Sequence, residues 1–321
     1  MRLSRSCAPG LRAGSKTITK ESMSIFPTLR KIETYVLENY PFMAGGFERG
    51  RTEFGNEWEK AFEETLSAVL LDDDALFKAA DGYVDFAVDA LKLHNRFEKE
   101  REYVNKTYDE AAKEVYHNPE YMHSLYLPGI LLSHFLWPHH YRQRLFFEGT
   151  FLADMRRAKA VAFFDIGIGS GYYSRLMLKA LPGARGHGFD VSESSKAYTE
   201  RQLDAFGVLD RYEVRLGDIT QGDPEATTRW LTSVEVLEHL EDPITFLKGL
   251  RRMLESGGKA FITAALDAPN ADHIYLYQSP EEVITQLLDA GFNIEQYHLA
   301  AAYVPKQRDL SVPKIAAFVV T

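Results

Sequence analysis

Cysteine is nearly absent from this chain: among 321 residues there is one, Cys7. The body can therefore hold no disulfide, no thiolate metal site and no cysteine nucleophile. Long apolar runs are missing too, and nothing approaches the roughly 18 residues that a membrane span needs. Basic charge is scarce, with 37 Lys and Arg against 46 Asp and Glu, a net charge of −9. The first 22 residues carry five basic side chains and one acid, Glu21, a net +4, so the remainder carries −13. A body so acidic is a poor partner for nucleic acid or an anionic membrane. That basic leader lacks the apolar core of a secretory signal. Its Arg- and Ser-rich composition fits an organelle transit peptide; a disordered extension, or translation starting at Met23, is the plainer reading. Cytoplasmic placement is the default expectation. The length suggests two domains and a sizeable core.

What is present is concentrated in "VAFFDIGIGSGYYSRLML", residues 161–178. Val161 to Ile166 has the content of a buried parallel strand, and Tyr173 to Leu178 reads as the start of a helix. Between them Gly167, Gly169 and Gly171 alternate with other residues. Glycine allows a tight turn and close approach of a ligand to the backbone, and the following helix adds free N–H groups. This describes a nucleotide-type site at the carboxyl end of a strand. The dinucleotide pattern G-x-G-x-x-G is not met, since Tyr172 holds its last position, so a pyrophosphate site fits poorly.

The rest of the C-terminal half repeats the alternation of strand and helix. "ARGHGFDVSES" offers a second strand ending in Asp190, about 20 residues after the glycines, where an acid can bind a ribose diol. "RYEVRLGDIT" predicts a third strand ending in Asp218 and Ile219. "WLTSVEVLEHLEDP" predicts a fourth, running into a helix that begins near Glu238, and "GGKAFITAA" a fifth. "SPEEVITQLLDAGF" reads as a helix with Ser279 as N-cap, Pro280 at its first position and Gly291 past its end. "NIEQYHLA" and "KIAAFVV" supply two last strands.

In order and spacing, D-x-G-x-G-x-G, GFD-x-SES, GD-I, EVLEHLEDP and SGG resemble the class I S-adenosylmethionine-dependent methyltransferases. The likeness covers about residues 158–321, and is nearest to the group containing the ubiquinone-biosynthesis O-methyltransferases. It implies an α/β fold: a doubly wound, mostly parallel, seven-stranded Rossmann-like sheet, with S-adenosyl-L-methionine as cofactor. By that resemblance Asp165 and the backbone from Gly167 through Gly169 to Gly171 and Tyr172 would hold the methionyl end. Asp190 would accept the ribose hydroxyls, Asp218 the adenine amine, Ile219 would pack on the ring, and Glu235 would lie beside the cofactor. One departure concerns the fourth strand, where "TTRWLTSVEV" has no acid before Glu235.

Residues 23–157 match no motif and read as an all-helical domain, with Trp58, Phe62, Leu66 and Val69 at helical spacing. "PFMAGGFERGRTEFG" reads as a loop in which Gly45, Gly46, Gly50 and Gly55 break any helix. Such a domain either covers the substrate pocket or builds a homodimer, and the sequence leaves both open. "HSLYLPGILLSHFLWPHHYRQRLFF", residues 123–147, holds His123, His134, His139 and His140 among aromatics. It reads either as a pocket wall with a histidine base or as an aromatic core helix.

A sulfonium methyl is already activated, so its transfer needs an in-line nucleophile about 3 Å away and removal of that nucleophile's proton. Histidine is the natural base; His239 is the first candidate and His140 the reserve. Glu235, Glu238 and His239 also form E-x-x-E-H, and side chains three and four apart share a helical face. Together with His273 they could bind Mg²⁺, Mn²⁺ or Fe²⁺. Some ubiquinone O-methyltransferases and small-RNA 2′-O-methyltransferases use this motif so, but many metal-free relatives carry similar sequences, and a divalent metal is not the favoured reading. The expected activity is methyl transfer to oxygen, less readily nitrogen, of a small-molecule acceptor. The alternatives are an RNA or protein methyltransferase, or a non-catalytic S-adenosylmethionine-binding protein.

Overall fold

In the computed structural model the described residues are 25–43, 45–105, 107–220, 226–305 and 310–321. The leader expected at residues 1–22 lies outside them. Three helices open the described chain: α1 (Pro27–Asn39), α2 (Gly45–Val69) and α3 (Asp73–Glu100). The last starts where the Asp72 carboxylate accepts the Ala75 N–H at 2.8 Å, satisfying a free helix-end donor. The glycine-rich stretch expected as a loop is instead mostly helix, from Gly45 onward, kinked at Gly55 where φ is 66°. Packing outweighs the low helix propensity of glycine here. A Cβ on Gly50 would meet the Trp58 ring at 2.4 Å, so this turn of α2 must be bare to fold against its own aromatic.

Next come α4 (Tyr108–Glu114), with a Thr107/Glu110 capping box, and α5 (Pro119–Tyr121). A π-turn over Met122–Tyr126 carries the chain into α6 (Leu127–Leu136), followed by α7 (Pro138–Gly149) and α8 (Phe151–Arg157). The sheet half alternates β1 (Ala162–Ile166), α9 (Tyr172–Ala180), β2 (Arg185–Asp190), α10 (Glu193–Ala205), β3 (Tyr212–Leu216) and β4 (Thr228–Ser233). It ends with α11 (Pro243–Met253), β5 (Leu254–Leu266), α12 (Pro280–Asp289), β6 (Ile294–Ala301) and β7 (Lys314–Val320).

The strand order is β3-β2-β1-β4-β5-β7-β6. The pairings from β3 through β5 are parallel, whereas β7 runs antiparallel to both β5 and β6. The sheet is therefore mixed, with a parallel majority. Two boundaries differ from expectation. β3 ends at Leu216 rather than at Asp218 and Ile219, because the chain turns away at Gly217 and the Asp218 carboxylate accepts the Thr220 N–H at 2.7 Å. After β4, Glu238 sits in a short 3₁₀ turn (Leu237–His239), and the helix starts only at Pro243, capped by Asp242 accepting from Thr245.

One apolar core crosses the boundary expected at residue 157. Phe147, Phe151 and Met155 join Phe163, Trp230 and Phe261 on one face of the sheet, while Phe246, Leu250 and Ile262 fill the other. The order reverses between β1 and β4, the position where an open α/β sheet leaves a crevice at its carboxyl edge. The helical half closes over that crevice. Tyr103 Oη accepts the Ala268 N–H at 3.1 Å, Glu241 accepts the Tyr108 N–H at 2.7 Å, and Glu98 accepts the Ser311 N–H at 2.8 Å.

Candidate active site

A cavity of about 670 Å³ lies between the carboxyl edge of the sheet and helices α3, α4, α6 and α7. Its floor is the glycine turn. Gly167, Gly169 and Gly171 all have positive φ, at 73°, 51° and 74°, a region that suits residues without a Cβ. The reasons differ along the turn: a Cβ on Gly167 would strike Val236 at 2.4 Å, whereas one on Gly169 would meet nothing within 4 Å. The backbone at Gly169 thus faces open cavity.

Asp165 is buried at the end of β1. Its carboxylate accepts from Ser174 Oγ at 2.5 Å and Thr232 Oγ1 at 2.8 Å. Asp190, ending β2, accepts the Gly169 N–H at 3.3 Å and the Ser192 N–H at 2.8 Å. Burial pushes both carboxyls up to about 6 against the pull of these hydrogen bonds, because removing a charge from water disfavours it. Asp218 and Ile219 line the same end of the cavity, Asp218 being exposed. Tyr108, from α4, stands within electrostatic reach of Asp218 and Asp190.

Glu235 follows β4 with φ at 54°, unusual for a residue with a side chain. Its Oε1 accepts from Thr263 Oγ1 at 2.5 Å, and Thr263 Oγ1 in turn accepts the Glu235 N–H at 2.8 Å. Glu238, three residues on, is fully buried; neither carboxyl oxygen has a hydrogen bond of good geometry, though the backbone N–H groups of Glu238 itself and Ala265 lie near enough to favour its charge. Burial raises both acids, and Glu235 raises Glu238 further.

His239 lines the same cavity, within a network that the sequence did not reveal. Its Nδ1 is 3.1 Å from Tyr116 Oη, and its Nε2 is 3.5 Å from Asp272 Oδ2. Tyr116 donates to the same Asp272 oxygen at 3.0 Å, and Tyr126 donates to it as well. Burial alone would push Asp272 up. The neighbouring His239 and His273, with the two hydroxyls, reverse this and hold it below the usual carboxylate range. Asp272 is wholly buried. Its one sequence signal was adjacency to His273; Tyr126 lies in the aromatic stretch 123–147 read as a candidate pocket wall, and Tyr116 carried no signal, because the fold brings it there.

The E-x-x-E-H residues separate in space. Glu238, His239 and His273 offer ligand atoms within 4.8 Å of one another, whereas Glu235 turns to Thr263. No other such cluster of three occurs among the described residues. A buried carboxylate with two unpaired oxygens beside two imidazoles is a donor set that suits a divalent cation.

The helical wall holds the remaining histidines. His134 and His139 are buried, His140 faces the cavity, and His123 is exposed away from it. Tyr172, expected at the cofactor, begins α9 and turns its buried ring onto His134, with centroids 4.1 Å apart. It thereby joins the glycine turn to the histidine wall.

A family described as "Methyltransferase domain" matches residues 164–260. The ubiquinone biosynthesis O-methyltransferase of Pseudomonas syringae pv. tomato is 31% identical over 129 residues, 40% of this chain and 53% of that protein. Its counterpart in Pseudomonas aeruginosa strain UCBPP-PA14 is 30% identical over the same length and shares. The chain spans about half the length of the curated relatives it matches. Among solved structures, the mitomycin 7-O-methyltransferase MmcR superposes with a TM-score of 0.50 at 16% identity, over 79% of this chain and 74% of that one. At that identity the likeness is one of fold, and it reaches into the helical half. With its motifs in order and the glycine turn open to the cavity, the chain carries a class I S-adenosylmethionine-dependent methyltransferase domain.

Proposed function

We propose that this protein transfers a methyl group from S-adenosylmethionine to an oxygen of a small-molecule metabolite, with nitrogen as the lesser alternative. The observation that carries the reading is one shared cavity, lined by the glycine turn, the buried acids and His239 alike. In this reading Asp165 and the Gly167–Gly171 turn hold the methionyl end, Asp190 the ribose hydroxyls, and Asp218 and Ile219 the adenine. When bound, S-adenosylmethionine would supply an activated methyl group to the acceptor oxygen, its sulfur leaving as a neutral thioether. The hydroxyl proton passes to the His239 ring, where the Asp272 carboxylate 3.5 Å away would stabilise the imidazolium. His140 is the poorer base, since burial pushes it down to about 3.

A second reading is supported by the unpaired oxygens of Glu238. Glu238, His239 and His273 would hold a divalent cation, which would supply a positive charge to lower the pKa of the acceptor hydroxyl. The acidic composition favours a metabolite over RNA, and no described helix is long and apolar enough to cross a membrane. We infer a cytoplasmic enzyme; whether the helical half also builds a homodimer is tested by its mass in solution.

Incubating the purified protein with methyl-labelled S-adenosylmethionine and extracted metabolite pools, with and without chelator, tests these readings together. Label in a small molecule is the expected result. Label in RNA or protein alone would overturn it, and loss of label on chelation would select the cation reading.

A further inference from the structure

We propose that the helical half of the cavity is an acceptor subsite for an uncharged, planar, oxygen-bearing ring system, and that it rejects acceptors carrying an ionic group at that end. This rests on the methyltransferase reading and adds the class of acceptor. The wall lies outside residues 164–260, so the chain's own helices, rather than the matched domain, carry this choice.

The first support is composition. The lining residues contributed by α3, the π-turn, α6 and α7 include no Asp, Glu, Lys or Arg. The charged lining residues come from the strand ends, from α4 and from the loops, and Lys314 is already paired with Asp267 at 3.3 Å. The second is shape. Phe86 and Trp137 stack with centroids 5.5 Å apart and planes 22° from parallel, and Ile130 lines the cavity beside them. Flat aromatic faces of this kind favour a flat ligand.

The third support is a set of unmet polar groups. His134 Nδ1, His139 Nδ1 and Gln143 Oε1 are buried without a hydrogen-bond partner, although the Gln143 amide donates to Tyr173 at 2.9 Å. Buried polar atoms are normally paired; these three have almost no accessible surface, so hydroxyl or carbonyl groups on a ligand would pair them only once the side chains turn towards the cavity. Neutral imidazole can both donate and accept. It also remains neutral here: burial pushes His134 and His139 well below the usual range, and neighbouring His140 and the arginines behind them push the same way. Those arginines do not line the cavity. Arg144 is paired with Glu148 at 3.1 Å, and Arg175 lies over the Tyr172 and Phe206 rings. An anion entering this wall would lose its water without gaining a counter-charge.

Calorimetry on the full chain separates the steps. S-Adenosylhomocysteine is titrated first, and its failure to bind removes the methyltransferase reading and this subsite with it. The saturated protein then receives 2,3-dihydroxynaphthalene or its 6-sulfonate, which share a ring and diol and differ in charge at the far end. The expected result is at least tenfold tighter binding of the uncharged compound. Trp137→Ala, with Trp137→Phe as the milder variant, should weaken that binding at least fivefold and leave the S-adenosylhomocysteine affinity within twofold. Equal binding of the two naphthalenes, no binding of either, or unchanged affinity in both Trp137 variants would overturn the subsite alone.

Discussion

On one wall of the cavity stand Asp165, Asp190 and Glu235, at the ends of strands; on the other stand His134, His139 and His140, on two helices. Burial raises the carboxyls and lowers the imidazoles, so both walls are driven towards neutrality from opposite sides. What differs is the degree to which the protein satisfies them. The carboxylates accept from hydroxyls and backbone N–H groups within the same fold. Two of the imidazoles keep a ring nitrogen unpaired. The acidic wall is held by the protein's own hydrogen bonds, whereas the imidazole wall keeps buried ring nitrogens that the protein leaves without a partner. His239 belongs to neither pattern, because it is tied to Tyr116 and Asp272.

The largest expected effect comes from removing the group that belongs to neither wall. His239→Ala should lower turnover by roughly 100- to 10,000-fold, as loss of a positioned base does, while cofactor affinity stays nearly constant. If a cation is held instead, Glu238→Ala should match it, chelation should abolish turnover, and Mg²⁺, Mn²⁺ or Fe²⁺ should restore it. Full activity in His239→Ala would defeat both forms.

On the acidic wall, Asp190→Ala should weaken S-adenosylmethionine binding by on the order of 2–3 kcal/mol, about 30- to 150-fold, for two charge-assisted hydrogen bonds. Its carboxylate also fastens Gly169 and Ser192, so Asp190→Asn serves as the milder partner. Equal calorimetric affinity for parent and both variants would remove the ribose assignment.

The same wall gives a pH dependence. With Asp190 raised to about 6, protons compete with the cofactor for the ionised carboxylate. Affinity should be flat above pH 7 and weaken below about 6, by up to tenfold per pH unit for this group. Asp190→Asn should flatten that limb. A profile in the parent that strengthens towards acid would contradict the assignment.

The unequal legibility of the two walls has a physical cause. The acidic wall is written locally: Asp165, three glycines and Asp190 fall within 26 residues, and each follows a strand whose apolar run can be read alone. The parallel strands of the mixed sheet, their helices and the Ser279–Pro280 helix start were visible for the same reason. The imidazole wall and the His239 network depend on distant partners. Tyr116 and Asp272 are 156 residues apart, and Tyr126 and Asp272 are 146 apart. No periodicity reports such a meeting. Gly50 misled the reading in the same way, since its reason for being glycine is the Trp58 ring against it. E-x-x-E-H was legible as a motif, but its division into Glu235 beside Thr263 and Glu238 beside two histidines was not.

The smallest effect tests the imidazole wall through stability. His140 is partly exposed to the cavity, yet burial pushes it down to about 3, below its ordinary 6.5. A base depressed in the folded state contributes stability that is present above pH 6.5 and lost as pH falls towards 3, because the unfolded chain takes up the proton first. Asp165 and Asp190, raised to about 6, act oppositely: their contribution is present below about 3.8 and lost as pH rises through 6. The two walls therefore oppose each other between about pH 4 and 6.5, and the parent curve alone cannot separate them. Comparison with His140→Gln can, since the carboxylates are common to both proteins. The parent should lose stability relative to the variant on acidification, at up to about 1.4 kcal/mol per pH unit below 6. Denaturant melts of the cofactor-free proteins from pH 7.5 to 4.5 read that difference directly. Parallel curves would mean that His140 takes up its proton in the folded protein as readily as in the unfolded chain, and the imidazole wall would then be open to water and to ions.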